Sequence, residues 1–139
     1  FLDVLRTDGI DPYPGSRRFV DDLVARDVAR AVVSSSRNAT DVLAAAGLAT
    51  AFNVVVDGVR ARDEGLAGKP APDTYLRAAE LVDIDPASCA VVEDAVSGVR
   101  AAVAGGVGVV IGVDRGVGTD VLRDNGATLV VNDLEELLA

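Results

Sequence analysis

Three short stretches of this 139-residue chain carry the residue types that chemistry needs. The first is Cys89-Ala90-Val91-Val92-Glu93-Asp94, an apolar run that ends in two adjacent carboxylates. In open α/β sheets a ligand sits just outside the carboxyl ends of the strands, where this pair would lie. Neighbouring acids repel each other and lose hydration there, and binding a hard cation such as Mg2+ through their oxygens would offset that. A plainer reading has Asp94 capping the following helix and Glu93 in solvent. The second stretch is Ser34-Ser35-Ser36-Arg37-Asn38, between an apolar run and a helix. Hydroxyls, backbone N–H groups and a helix N-terminus together suit phosphate; a serine-rich capping turn would spell the same way. The third is Lys69, the only lysine in the chain. Gly68, Pro70 and Pro72 pin its loop, which can aim an ammonium at a phosphate or a carboxylate nucleophile. A solvated surface lysine is the alternative.

The elements that must position these groups alternate. A helix is predicted from Ser16, with Phe19, Val20, Leu23 and Val24 on one face. Strands are predicted over Ala29–Val33, Phe52–Val56, Cys89–Val92, Gly108–Val113 and Ala127–Val131. Between them lie helical patterns at Ala39–Ala46, Thr74–Val82, Val99–Ala104 and Thr119–Asp124, with a last helical turn over Leu134–Leu138. Residues 57–64 read as a polar loop, and Asp85–Ser88 as a turn. This rhythm predicts an α/β fold, a Rossmann-like parallel sheet with helices on both faces.

Composition narrows the function. The net charge of −9 argues against nucleic acid and anionic membrane surfaces, so an anionic substrate needs a local positive site. With no histidine in the chain, histidine-based nucleophiles and metal sites are excluded. The single cysteine, Cys89, reads as a small buried hydrophobe. No apolar run is long enough for a membrane span and no signal peptide is visible, so a cytoplasmic location is expected.

The order of the three groups is specific. VVSSSRN, GKPAPDTY and VVEDAVSGV resemble the haloacid dehalogenase superfamily, in its β-phosphoglucomutase-like branch, from about Tyr13 onward. The resemblance implies that Ser34 and the backbone amide of Ser35 bind the phosphoryl group being transferred. It implies that Lys69 neutralises charge between that group and a nucleophilic aspartate. Glu93 and Asp94 would hold Mg2+, with Asp94 the direct ligand. Ser36, Arg37 and Asn38 match positions that hold a second phosphate in the mutase branch.

One departure is severe. The family's Asp-x-Asp-Gly motif, which carries the nucleophile, does not occur: Asp57-Gly58 has Val55 where the first aspartate belongs, and Asp114 is followed by Arg115-Gly116. Residues 1–12 are read as the end of a helical cap and its connector, and 13–139 as an incomplete core. The missing first strand would lie in mid-sheet, between the strands ending at Ser34 and Glu93, so the two halves should present unpaired inner edges. The expected activity of an intact parent is Mg2+-dependent phosphoryl transfer on a small sugar phosphate through an aspartyl-phosphate, as phosphatase or mutase. The segment alone is expected to be inactive, and possible membership of a longer multidomain chain is part of the reading. The competing reading is a degenerate, non-catalytic domain packed inside a larger carbohydrate-active protein.

Overall fold

Short valine-rich runs can bury both faces only if helices cover both sides of the sheet they form. The computed structural model describes residues 14–45 and 47–138; the expected cap segment 1–12 lies outside the described residues. Helix α1 (Pro14–Ala25) leads into β1 (Ala31–Val33), α2 (Ala39–Ala45) and β2 (Val54–Val56). Then come α3 (Gly58–Glu64), α4 (Asp73–Val82), β3 (Ala90–Glu93), α5 (Val96–Ala104), β4 (Val109–Val113), α6 (Thr119–Asp124) and β5 (Leu129–Val131). Tight 3-10 turns at Pro86–Ser88 and Leu134–Leu137 complete the described chain.

Every strand pairing is parallel. β1 pairs with β2, Ala31 opposite Val54 and Val33 opposite Val56. β3 pairs with β4, Glu93 opposite Gly112, and β4 with β5, Ile111 opposite Leu129. Successive strand residues point to opposite faces, which divides the core into two clusters. Val32, Val92, Ile111 and Val131 pack with Val20 of α1 and Leu43 of α2. Ala31, Val33, Val91 and Val110 pack with Tyr75 and Ala78 of α4, Val99 of α5 and Leu122 of α6. The expected α/β class, with helices on both faces, is what forms.

The strands fall into a two-stranded and a three-stranded sheet, and no ladder joins β1 to β3 among the described residues. Both cores nevertheless draw residues from both sheets, so side-chain packing spans the break that hydrogen bonding does not. Near the starts of β1 and β3 lies a mainly apolar cavity of about 230 Å³. Ala29 and Arg30 border it from the β1 side, Cys89, Ala90 and Val92 from the β3 side, and Phe19 and Leu23 from α1. Cys89 is buried, and desolvation raises its thiol pKa, so it is a packing residue rather than a nucleophile.

Residues 57–64 differ from expectation: they form α3 and the cap residue preceding it. The side chain of Asp57 accepts from the Arg60 N–H at 2.9 Å, which caps the helix start. Arg60 also pairs with Glu64 one turn on, at 3.2 Å. No residue of α3 is buried, so the helix has no apolar stripe for a periodicity argument to find.

Candidate active site

The serine run leaves β1 under tight control from the neighbouring strand. The Ser34 N–H donates to the Val56 carbonyl at 2.9 Å, and the Gly58 N–H donates to the Ser36 carbonyl at 2.9 Å. A Cβ at Gly58 would lie 2.7 Å from the Ser35 carbonyl oxygen, so this close approach needs glycine. Within the run, the Ser36 N–H donates to Ser34 Oγ at 3.1 Å and the Asn38 N–H to Ser36 Oγ at 3.0 Å. Ser34 is 3% exposed. With Oγ already accepting, its hydroxyl proton is the part left to donate.

The lysine loop is anchored at both ends. Ala71 N–H closes a turn onto the Gly68 carbonyl at 3.0 Å. The Asp73 carboxylate, at the start of α4, accepts from Ala67 N–H at 3.0 Å. The Lys69–Pro70 peptide is cis. Lys69 Nζ lies 2.9 Å from Glu93 Oε2, with side-chain exposures of 3% and 0%. The Tyr75 hydroxyl donates to the same oxygen at 2.5 Å, and the Lys69 ammonium sits 5.0 Å from the Tyr75 ring centroid. The other oxygen, Glu93 Oε1, accepts from Asp94 N–H at 3.2 Å. A buried carboxylate requires such partners, because desolvating a charge is costly. Gly98 makes room for it: a Cβ there would fall 2.0 Å from the Glu93 carboxyl carbon.

Of the residues singled out in the sequence, Ser34, Ser35, Arg37 and Lys69 line one cavity of about 270 Å³, together with Gly58, Ala61, Gly68 and Thr74. Glu93 joins this group through Lys69, and Asp94, half-buried, follows at the strand end. Ser36 and Asn38 support the loop and do not line the cavity. The plainer readings of two of the groups fail. Glu93 is fully buried rather than solvated, and α5 is capped at Ala95 with no side-chain cap bond. Nor is Lys69 solvated. Sequence reasoning missed Tyr75, Thr74 and Gly98. The spelling Lys69-x5-Tyr75 at a helix start, and a glycine five residues after Glu93, were the available signals.

Asp114, at the end of β4, has a local task. It accepts from the N–H groups of Gly116 and Gly118 and from the Thr119 hydroxyl, at 2.9, 3.0 and 3.1 Å. Those donors, the Gly116 N–H foremost, hold its carboxyl below the ordinary range.

The acids allow a limited test for magnesium. No cluster of three or more potential metal ligands occurs among the described residues. Mg2+ is commonly held by one or two carboxylates, with waters and substrate phosphate completing the shell. Asp94, half-buried beside the end of β3, is a carboxylate of the type such a site uses, whereas the Glu93 carboxylate is held by Lys69, Tyr75 and the Asp94 amide.

Comparison with known proteins bears on the family and the fold. The family model for haloacid dehalogenase-like hydrolases matches residues 3–106. The chain is 49% identical over 138 residues to a β-phosphoglucomutase of Mycobacterium bovis, covering 97% of this chain and 53% of that protein. It is 35% identical over 127 residues to the β-phosphoglucomutase of Bacillus subtilis, covering 91% and 52%. Among solved structures, a haloacid dehalogenase family hydrolase from Deinococcus radiodurans with bound phosphate and sodium superposes with a TM-score of 0.81. Its identity is 31%, over 91% of this chain and 57% of that one. The chain thus spans about half the length of the curated relatives it matches. With a family model covering most of its residues, the chain belongs to the haloacid dehalogenase-like hydrolases.

Proposed function

We propose that this segment is the phosphate-holding part of an enzyme that transfers a phosphoryl group from a small sugar phosphate, through an aspartyl-phosphate, as a phosphatase or phosphoglucomutase-like mutase. The observation that carries the reading is the meeting of Ser34 and Lys69 on one cavity, with Lys69 tied behind to Glu93. A hydroxyl-bearing and an ammonium-bearing residue on one cavity suit an anion, and they do so in a chain of net charge −9. Arg37 on the same lining adds a second cation, which favours a substrate with a further anionic group.

In this reading Ser34 Oγ and the Ser35 amide hold oxygens of the phosphoryl group, and Lys69 offsets its charge next to the attacking carboxylate. Glu93 and Tyr75 fix where the ammonium stands. Magnesium, held by Asp94 and supported by Glu93, supplies further neutralisation of the transferring group when bound. The nucleophile comes from outside this segment. In this reading its strand lies between β1 and β3, which no ladder joins among the described residues.

The test is an assay of the full-length protein on sugar 1-phosphates with magnesium, with and without a sugar bisphosphate primer. Primer-dependent isomerisation marks a mutase, and release of inorganic phosphate marks a phosphatase. No turnover of any phosphate ester, in a protein carrying the upstream aspartates, would overturn the reading. The segment from residue 1 to 139 is expected to be inactive in the same assay.

A further inference from the structure

Gly58 stands where the backbone itself has no need of a glycine. It is the first residue of α3, and its φ lies outside the left-handed region. An ordinary residue there would lose less backbone entropy on folding. What excludes a side chain is the serine run. A Cβ at Gly58 would fall 2.7 Å from the Ser35 carbonyl oxygen and 3.3 Å from the Ser36 carbonyl carbon. Two successive peptides of the run therefore rest on this one residue. The Ser35–Ser36 peptide sets its carbonyl oxygen against Gly58 and donates its N–H to Ser34 Oγ at 3.1 Å. The Ser36–Arg37 peptide offers its carbonyl to the Gly58 N–H at 2.9 Å.

We propose that Gly58 is a positioning residue for the phosphate site, directing the Ser34 hydroxyl through the Ser35–Ser36 peptide. A trans peptide is planar, with its C=O and N–H pointing opposite ways. Displacing the Ser35 carbonyl therefore tilts the Ser36 N–H away from Ser34 Oγ. That N–H occupies an acceptor position of the hydroxyl and leaves its proton for an anion. A side chain at position 58 would thus misdirect a donor two residues away from the peptide it strikes. The proposal rests on the phosphate reading of the site. It adds a residue that the sequence motifs do not include, on a helix that they do not reveal, and one that acts through the serine run.

The experiment titrates the full-length protein with inorganic phosphate in the presence of magnesium, by calorimetry. Gly58→Ala should bind phosphate about tenfold more weakly than wild type, as expected for spoiling a hydrogen bond to a charged group. Arg62, exposed and paired with Asp63, lies on the same helix. Arg62→Gly loosens that helix without a new atom at the serine run, so it should melt lower yet bind phosphate close to wild type. Unchanged affinity in Gly58→Ala would overturn the proposal, and so would a loss in Arg62→Gly as large as that in Gly58→Ala. Hydrogen exchange on wild type decides the matter if Gly58→Ala does not fold. A contact that favours binding is itself favoured by binding, so saturating phosphate should slow exchange of the Gly58 N–H. Exchange at Gly58 unaffected by bound phosphate would overturn the proposal while leaving the phosphate reading in place. If wild type itself binds no phosphate, the phosphate reading of the site fails, and the proposal with it.

Discussion

Two ion pairs of nearly equal length stand in this molecule under opposite conditions. Arg77 and Glu64 meet at 2.7 Å on the surface, each about one-third exposed, with Arg60 and Glu80 alongside. Lys69 and Glu93 meet at 2.9 Å with almost no exposure. In the first pair, water and salt screen both charges, and the pair adds little to stability. In the second, the charges replace much of each other's lost hydration, with the Tyr75 hydroxyl and the Asp94 N–H also serving Glu93. The buried pair is therefore poor evidence of stability and good evidence of a site. It holds an ammonium at the edge of a cavity that Ser34 and Arg37 share.

Breaking each pair should separate the two regimes. Lys69→Met in the full-length protein leaves Glu93 buried without its cation and should lower unfolding free energy by about 3–5 kcal/mol in urea denaturation. The double variant Lys69→Met/Glu93→Gln should recover much of that loss. Turnover should fall on the order of 10²-fold or more in Lys69→Met, read from steady-state kinetics. Tyr75→Phe removes one donor to Glu93 and should destabilise by about 1.5–3 kcal/mol while leaving the cavity lining intact. Arg77→Ala should leave the denaturation midpoint near wild type.

Acid should sort the exposed groups as well. Glu64 is held below the ordinary carboxylate range chiefly by its hydrogen bond to Arg77, and Asp114 by the backbone N–H groups of its own loop. Both have folded pKa values lowered relative to the unfolded chain. Their contributions are thus present above the unfolded value and lost as pH falls through the folded one. Added salt should shrink the Glu64 contribution and leave Asp114 less affected, because its leading partners are neutral amides. Melting curves of Arg77→Ala and Asp114→Asn across acid pH, at low and high salt, measure this smallest effect.

How much of this was legible in the sequence follows the same division. Strands with both faces buried announce themselves as valine runs, and β3, β4 and α6 lie where the pattern puts them. The ladders of β1 and β2 are shorter than their apolar runs because pairing stops where the partner strand ends: Ala29 and Phe52 contribute to packing and lining but not to the ladder. Helix α3 was invisible, since Asp57 capping and an Arg60–Glu64 pair leave no hydrophobic period. In the site, the motifs placed Ser34, Lys69, Glu93 and Asp94 on strand ends and loops. They could not say that Tyr75 reaches Glu93, or that Thr74 is among the residues bordering the cavity. Both facts depend on how α4 lies against β1 and β2, a packing outcome that no local spacing encodes.

The central claim is that Ser34 and Lys69 serve a single small anion. Diffraction from crystals of the full-length protein grown with inorganic phosphate and magnesium tests it most directly. The account predicts one phosphate within hydrogen-bond distance of both Ser34 Oγ and Lys69 Nζ. Phosphate bound in another cleft, or touching Ser34 while Lys69 points away from it, would contradict the account.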